Sequence, residues 1–359
     1  MQTDLTNGSV LKNIALFSLP FFLSYFLQTL YGLADLFIIG QFDGVDSITA
    51  VSIGSQIMHM ITVMIVGLSM GATVCIAQAV GAKDKEKLRY CIGNTVTVFF
   101  IVSLILTGLL LFFTDFIVGV VKTPTEAVAG TKEYLIICFI GIPLITAYNI
   151  VSSILRGMGD SKSPMYFIAI ACVANIILDY VFIGYFKLGA VGAALGTTLS
   201  QGISVICALT YINRNNSSDS FSFAYLKLKG NIAKRLLRIG IPICAQDGFI
   251  QVAFMVITVI ANMRGLTDAA AVGIVEKLIS FIFLVPSSML STVSAMGAQN
   301  IGAGKIDRAK QTLRYAIYIS FIFGVIVGIL FQFIAENALE LFTENHSVIV
   351  SGGKYLQGY

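Results

Sequence analysis

The sequence predicts an all-α protein that crosses a membrane many times, built from two parallel copies of one six-helix unit with the second copy truncated. Three observations carry this. Apolar segments of membrane-spanning length recur along the whole chain, basic residues gather on alternate sides of them, and motifs of the first half return in the second. Of 359 residues, 57% are hydrophobic and only 12% are charged, about half the charge of a typical soluble domain. That leaves too little polar surface for a water-soluble globule, and no basic face for a nucleic acid.

A bilayer needs about 20 apolar residues per helix. Breaks at charged or Gly/Pro/Asn-rich points define nine complete spans, at 14–40, 47–80, 90–113, 134–155, 164–186, 188–212, 236–262, 268–299 and 312–334, and a tenth begins near Val348. The first run is too long for the apolar core of a secretory leader and reads as the first span. The second and eighth runs exceed the bilayer, which predicts tilt or extension into water.

Basic residues set the orientation. On one side of the spans lie Lys12, Lys83, Lys85, Lys87, Arg89, Arg156, Lys162, six residues between 213 and 238, and Lys305, Arg308, Lys310 and Arg314, 17 in all. The other side holds Lys122, Lys132, Lys187, Arg264 and Lys354, while Lys277 falls inside a span. This asymmetry predicts a cytoplasmic N-terminus in the cell membrane.

The repeat is the third observation. Lys12…Pro20 returns as Lys234…Pro242, Ala50-Val-Ser-Ile53 as Ala271-Val-Gly-Ile274, and Ala77-Gln-x-x-Gly81-Ala82 as Ala298-Gln-x-x-Gly302-Ala303. Leu88-Arg-Tyr90 returns as Leu313-Arg-Tyr315 and Tyr134-Leu135 as Tyr355-Leu356, at an offset of 221 to 225 residues. Six spans fit one period, so the chain re-enters on its starting side and the copies are parallel. The expected organisation is an N-lobe at 1–212, a cytoplasmic linker at 213–235 and a C-lobe at 236–359. By the same register a complete second lobe would run to about residue 434.

Chemistry-bearing residues are few. The six cysteines (75, 91, 138, 172, 207 and 244) sit in or beside apolar runs without metal-type spacing and read as reduced packing residues. His59 and His346 lie far apart, and neither a nucleophile–base pair nor a phosphate loop is present, so an enzyme is not expected. Arg156-Gly-Met-Gly-Asp160-Ser reads as a tight turn in which Asp160 caps the next helix and Pro164 opens it. Prolines 20, 143, 242 and 286 lie within spans, where they are expected to kink helices and free carbonyls. Met58, Met60, Met64, Met70, Phe281, Phe283 and Met289 suit either an adaptable drug surface or helix packing.

Four acids fall inside spans: Asp35, Asp179, Asp247 and Glu276. Each costs roughly 2.5–3.5 kcal/mol at a helix centre unless it faces a partner or water. Helical rise places Asp35 and Asp179 at one level, ~8 and ~10 Å from the outer end, with Thr197 at ~14 Å. Asn175 lies one turn from Asp179 on the same face. Two carboxylates, an amide oxygen and a hydroxyl suit a proton or Na⁺. Asp247, beside Gln246, and Glu276, beside Lys277, read equally as cavity-lining and as helix-packing residues. Gln28, Tyr31, Met64, Gln251 and Phe283 complete the expected substrate cavity.

Several motifs together resemble the MATE (multidrug and toxic compound extrusion) family, most like its bacterial MepA-like branch. They are Tyr31-Gly-Leu-Ala-Asp35 with Gly40, Ala77-Gln-Ala-Val-Gly81-Ala82, Leu155-Arg-Gly-Met-Gly-Asp160-Ser-Lys-Ser-Pro164, Asn175-x-x-x-Asp179, Gly192-Ala-Ala-Leu-Gly-Thr197 and Ala298-Gln-Asn-Ile-Gly302-Ala303. The resemblance implies two lobes of six helices around a central cavity, with organic cations or drugs exported against H⁺ or Na⁺ by alternating access. It implies a monomer without a cofactor, and Asp35, Asn175, Asp179 and Thr197 as the N-lobe cation site. Where NorM-type members carry a glutamate nine residues after the seventh-helix proline, this chain has Gln251, so a C-lobe cation site of that kind is not expected. Two other readings remain open. A lipid-linked precursor or polysaccharide flippase of the same superfamily would need a cationic cavity, and a truncated relative would not transport at all.

Overall fold

The computed structural model describes residues 4–214, 225–343 and 345–358, without the side chains of Asn262 and Leu266. Residues 215–224 of the linker expected at 213–235 therefore lie outside the described residues.

Among the described residues the regular structure is helical throughout, without strands. The chain runs α1 (Val10–Phe42), α2 (Val45–Gly81), α3 (Lys85–Phe112), α4 (Thr114–Val120), α5 (Val128–Ile140), α6 (Ile142–Gly157), α7 (Lys162–Asp179), α8 (Gly189–Arg214), α9 (Gly230–Arg264), α10 (Leu266–Ile282), α11 (Leu284–Gly302), α12 (Ile306–Glu340) and α13 (His346–Gly358). Eight are long and apolar enough to cross a membrane by themselves or, for α10 with α11, as one span; the bent α5–α6 pair makes nine. Their starts are fixed locally. Asp84 caps α3 by accepting from Lys87 N at 2.9 Å, and Asp160 accepts from Lys162 N and Ser163 N at the start of α7.

The four prolines within spans divide into two pairs. Pro20 and Pro242 remain inside unbroken helices. The fourth span instead bends by 46° between Ile140 and Ile142, just before Pro143, whose ring crowds the preceding turn. A second break, between Ile282 and Leu284, precedes Pro286. Length is also more general than expected, because α1, α9 and α12 each exceed 30 residues as α2 does.

α2 is the central strut. It packs on α1, α3, α5, α6 and α8 of its own half and on α9 and α11 of the other. The crossing with the second half is made at backbone distance. A methyl group on Gly71 would run into the Leu236 carbonyl, one on Gly240 into the Leu68 carbonyl, one on Gly81 into the Gln299 carbonyl and one on Gly302 into the Gln78 carbonyl. In lipid, helices are held by such close approaches and by polar contacts. The same seam carries Arg235 on Gln78, Gln299 Nε2 on the Gly157 carbonyl at 3.0 Å and Tyr25 Oη with Ser291 Oγ at 2.7 Å.

These contacts gather on the side where the N-terminus lies. Towards the opposite face, Phe249, Val252 and Val256 of α9 are 75%, 48% and 52% exposed, and Gln56 and His59 of α2 are exposed too. The two halves therefore close at the N-terminal face and part towards the other. Met70 and Met289 are buried at the seam and Met58 within the first half, so these three serve packing. Gly71→Ala is expected to cost about 1–3 kcal/mol by overpacking the seam, read as a lowered unfolding temperature in detergent. An unchanged temperature would mean that α2 and α9 do not meet at Gly71.

Candidate functional site

Asp35 stands seven residues before the end of α1 and Asp179 closes α7. A π-helical turn, Tyr180–Tyr185, follows directly, a rare geometry that often accompanies functional positions. Asn175, one turn back on α7, and Thr197 on α8 complete the group. Asp35 is 3% exposed, Asn175 1% and Asp179 0%.

Thr197 Oγ1 donates to Asp35 Oδ2 at 3.2 Å. The other polar atoms crowd together without a well-formed hydrogen bond. They are Asp35 Oδ1, both Asp179 oxygens, and the amide oxygen and nitrogen of Asn175, and the two carboxylates interact directly. Two bare carboxylates only repel, so a buried pair of this kind is stable once a proton or small cation lies between them. The available donors are carboxylate, amide and hydroxyl oxygens, the set that suits an alkali cation or a shared proton.

Gly196 lets the Asp179 carboxylate lie against α8. A methyl group there would strike Asp179 Oδ1 and come within 3.6 Å of Asn175 Nδ2. Sequence reasoning did not assign it a site role, although it directly precedes Thr197 in a small-residue run that allows close approach. Tyr31 and Tyr134 lie within electrostatic reach of Asp35, and Tyr31 is half-buried.

The expected cavity residues are spread over several levels. Met64 lies 3.4 Å from the position of a Gly248 methyl group, and Asp247 Oδ2 lies 2.6 Å from that of Gly67, so both stand at the α2–α9 crossing. Gln246 is exposed, Gln28 and Gln251 are half-buried, and Phe283 is 39% exposed at the α10–α11 break. Glu276 accepts from Thr258 Oγ1 at 2.7 Å within the second half. Thr258 is eleven residues along α9 from Asp247, ~16 Å by helical rise, so these two acids are not brought together. Lys277, the basic residue inside a span, interacts with His59 across the cleft.

The sequence marks Arg156 only as part of a turn. The turn forms as expected, but the guanidinium also lies 4.8 Å from the Phe21 ring, is 8% exposed and leaves Nε without a partner. Around it are Ser69, Thr73, Ser153, Ser291 and Ser294, enclosing about 10 Å³, the space of a single water.

The pattern of the MatE family matches residues 20–181 and 242–359. "Probable multidrug resistance protein YoeA" of Bacillus subtilis is 31% identical over 96% of this chain and 76% of its own length. "Multidrug export protein MepA" of Staphylococcus haemolyticus is 26% identical over 96% and 76%. A solved MOP superfamily transporter from Pyrococcus furiosus, described by the reverse polarity of its binding pocket, superposes with a TM-score of 0.87 at 26% identity, covering 98% of this chain and 78% of that one.

An acid that serves packing loses stability when neutralised, whereas one kept for ion exchange does not. Asp179→Asn is therefore expected to unfold at or above the wild-type temperature, and a fall of several degrees would identify Asp179 as a packing residue.

Proposed function

The chain belongs to the MatE family of multidrug efflux transporters, and from that premise we propose that it exports amphipathic, often cationic small molecules across the cell membrane in exchange for H⁺ or Na⁺ by alternating access. The observation that carries the coupling is the path of α1. Near one end it holds Asp35 in the acid pair. Some ten to eighteen residues earlier, Phe17, Phe21 and Tyr25 insert into the seam, against Met289, Met296 and Ser291 of α11.

A proton or Na⁺ entering from the open face is held by Asp35, Asp179, Asn175 and Thr197. It relieves the repulsion between the two carboxylates and lets α1 repack against α7. The far end of α1 then shifts relative to α11 and Arg156, and the balance of seam and cleft changes. Arg156 gives that balance an energetic lever. Closure buries its charge against a ring face, hydroxyls, Val66 and Met70, with no ion pair among the described residues. Opening returns it to water, and burial without a counter-charge is costly. The moving parts are the lobes at 1–212 and 236–359, joined through 213–235. The N-terminal face, with 17 of the 23 basic residues, is cytoplasmic, so the cleft described above faces outward. The protein acts as a monomer.

A shared fold does not set the polarity of a pocket. In this chain Asp247 and Glu276 outnumber the one lysine inside a span, Lys277, which favours cationic substrates over the phosphate-bearing cargo of a flippase.

Ethidium efflux from cells expressing the protein is expected to fall roughly tenfold or more in Asp35→Asn, within the usual range of coupling energies. Gly196→Ala is expected to match it, because the added methyl fills the cation pocket. In proteoliposomes, imposing the pH and Na⁺ gradients separately identifies the ion. Efflux that persists in both variants, or that answers to neither gradient, contradicts the antiport reading.

A further inference from the structure

Away from the acid pair and the cleft, a cavity of about 210 Å³ opens at the N-terminal face between α2, α3 and the start of α9. Its lining divides by chemistry. Cys75, Cys91 and Ile232 form an apolar floor, and Lys87, Arg235 and Asn231 bring two cations and an amide. Both thiols are 3% exposed, so the floor belongs to the packed interior, while Lys87 and Arg235 reach the surface.

Lys87 is the third residue of α3 and Arg235 the sixth of α9. At 1.5 Å per residue they stand about 3 and 8 Å from the helix starts, at the depth where headgroups meet a membrane protein. Among the described residues neither cation forms an ion pair. Arg235 commits one nitrogen to Gln78 and keeps its remaining donors. The neighbouring acid, Asp84, is occupied as the cap of α3.

Two unpaired cations above an apolar floor at headgroup depth fit an amphiphile with a negative head. We propose that this cavity binds the phosphate headgroup of an anionic phospholipid. The lining comes from both halves of the chain, Cys75, Lys87 and Cys91 from the first and Asn231, Ile232 and Arg235 from the second. The lipid therefore bridges the halves beside the glycine seam and is retained while that seam is shut. This inference does not depend on which ion or drug is carried.

The chain contains no tryptophan, so one introduced indole reports a single place. Ile232→Trp in the full chain, reconstituted with acyl-brominated phosphatidylglycerol or phosphatidylcholine, reads lipid occupancy by quenching. Phosphatidylglycerol is expected to bind on the order of tenfold tighter there, about the effect of one or two cations at a membrane surface. Phe321→Trp on α12, where the native side chain is 68% exposed, should show no preference. Lys87→Gln with Arg235→Gln should bring position 232 to the level of that control, and Lys87→Arg with Arg235→Lys should keep the preference. Equal quenching by the two lipids at position 232 would overturn the proposal. So would relief of phosphatidylglycerol quenching by millimolar inorganic phosphate, which would mark a site for a soluble anion.

Discussion

Two carboxylates facing each other inside a helical bundle are the constraint on which the account of this protein rests. Asp35 and Asp179 are almost wholly buried, and only one of their four oxygens accepts a well-formed hydrogen bond. Hydrocarbon surroundings make such an arrangement costly in proportion to the charge left uncompensated. Helices that need only cohesion in lipid mostly use small residues and uncharged polar groups, as the glycine seam, Gln299 and the Tyr25–Ser291 contact do here. In the proposed mechanism a cation arrives and leaves at this pair, and the neighbouring features fit that exchange. Gly196 leaves the space, Thr197 and Asn175 supply further oxygens, and a π-helical turn follows Asp179 directly.

The second constraint is the glycine seam. Backbone-to-backbone crossing at Gly71, Gly81, Gly240 and Gly302 gives the halves a contact that is either made or broken, because a close-packed surface does not stretch. Arg156 and Phe21 sit at that contact, and α1 runs from it to the acid pair. In the proposed mechanism this one helix joins ion exchange at the acid pair to the packing between the halves. The cavity with Lys87 and Arg235 lies beside the same contact, where the proposed lipid would bridge the halves.

Much of this is legible in the sequence, and the reasons are physical. Spans are legible because a bilayer demands long apolar runs, and the repeat because six crossings return the chain to one side. The group Asp35, Asn175, Asp179 and Thr197 is legible because acids within spans are rare and helical rise fixes their depth. The seam is not, because a glycine's importance depends on which backbone meets it, and Gly71 looks no different from Gly108, which has open space around it. Arg156 is half legible: its turn follows from Gly159 and Asp160, but its contact with Phe21 joins helices far apart in sequence. Proline position is legible in part: the breaks fall just before Pro143 and Pro286, while Pro20 and Pro242 sit within continuous helices.

The central claim is that the acid pair holds one exchangeable cation per chain. Counting it directly on purified protein, by proton release to an indicator in unbuffered detergent and by radioactive Na⁺ binding, tests that claim with no substrate involved. The account predicts one proton or one Na⁺ per chain in the wild type, and none at this site when both Asp35 and Asp179 are replaced by Asn. An unchanged stoichiometry in that double variant would contradict it.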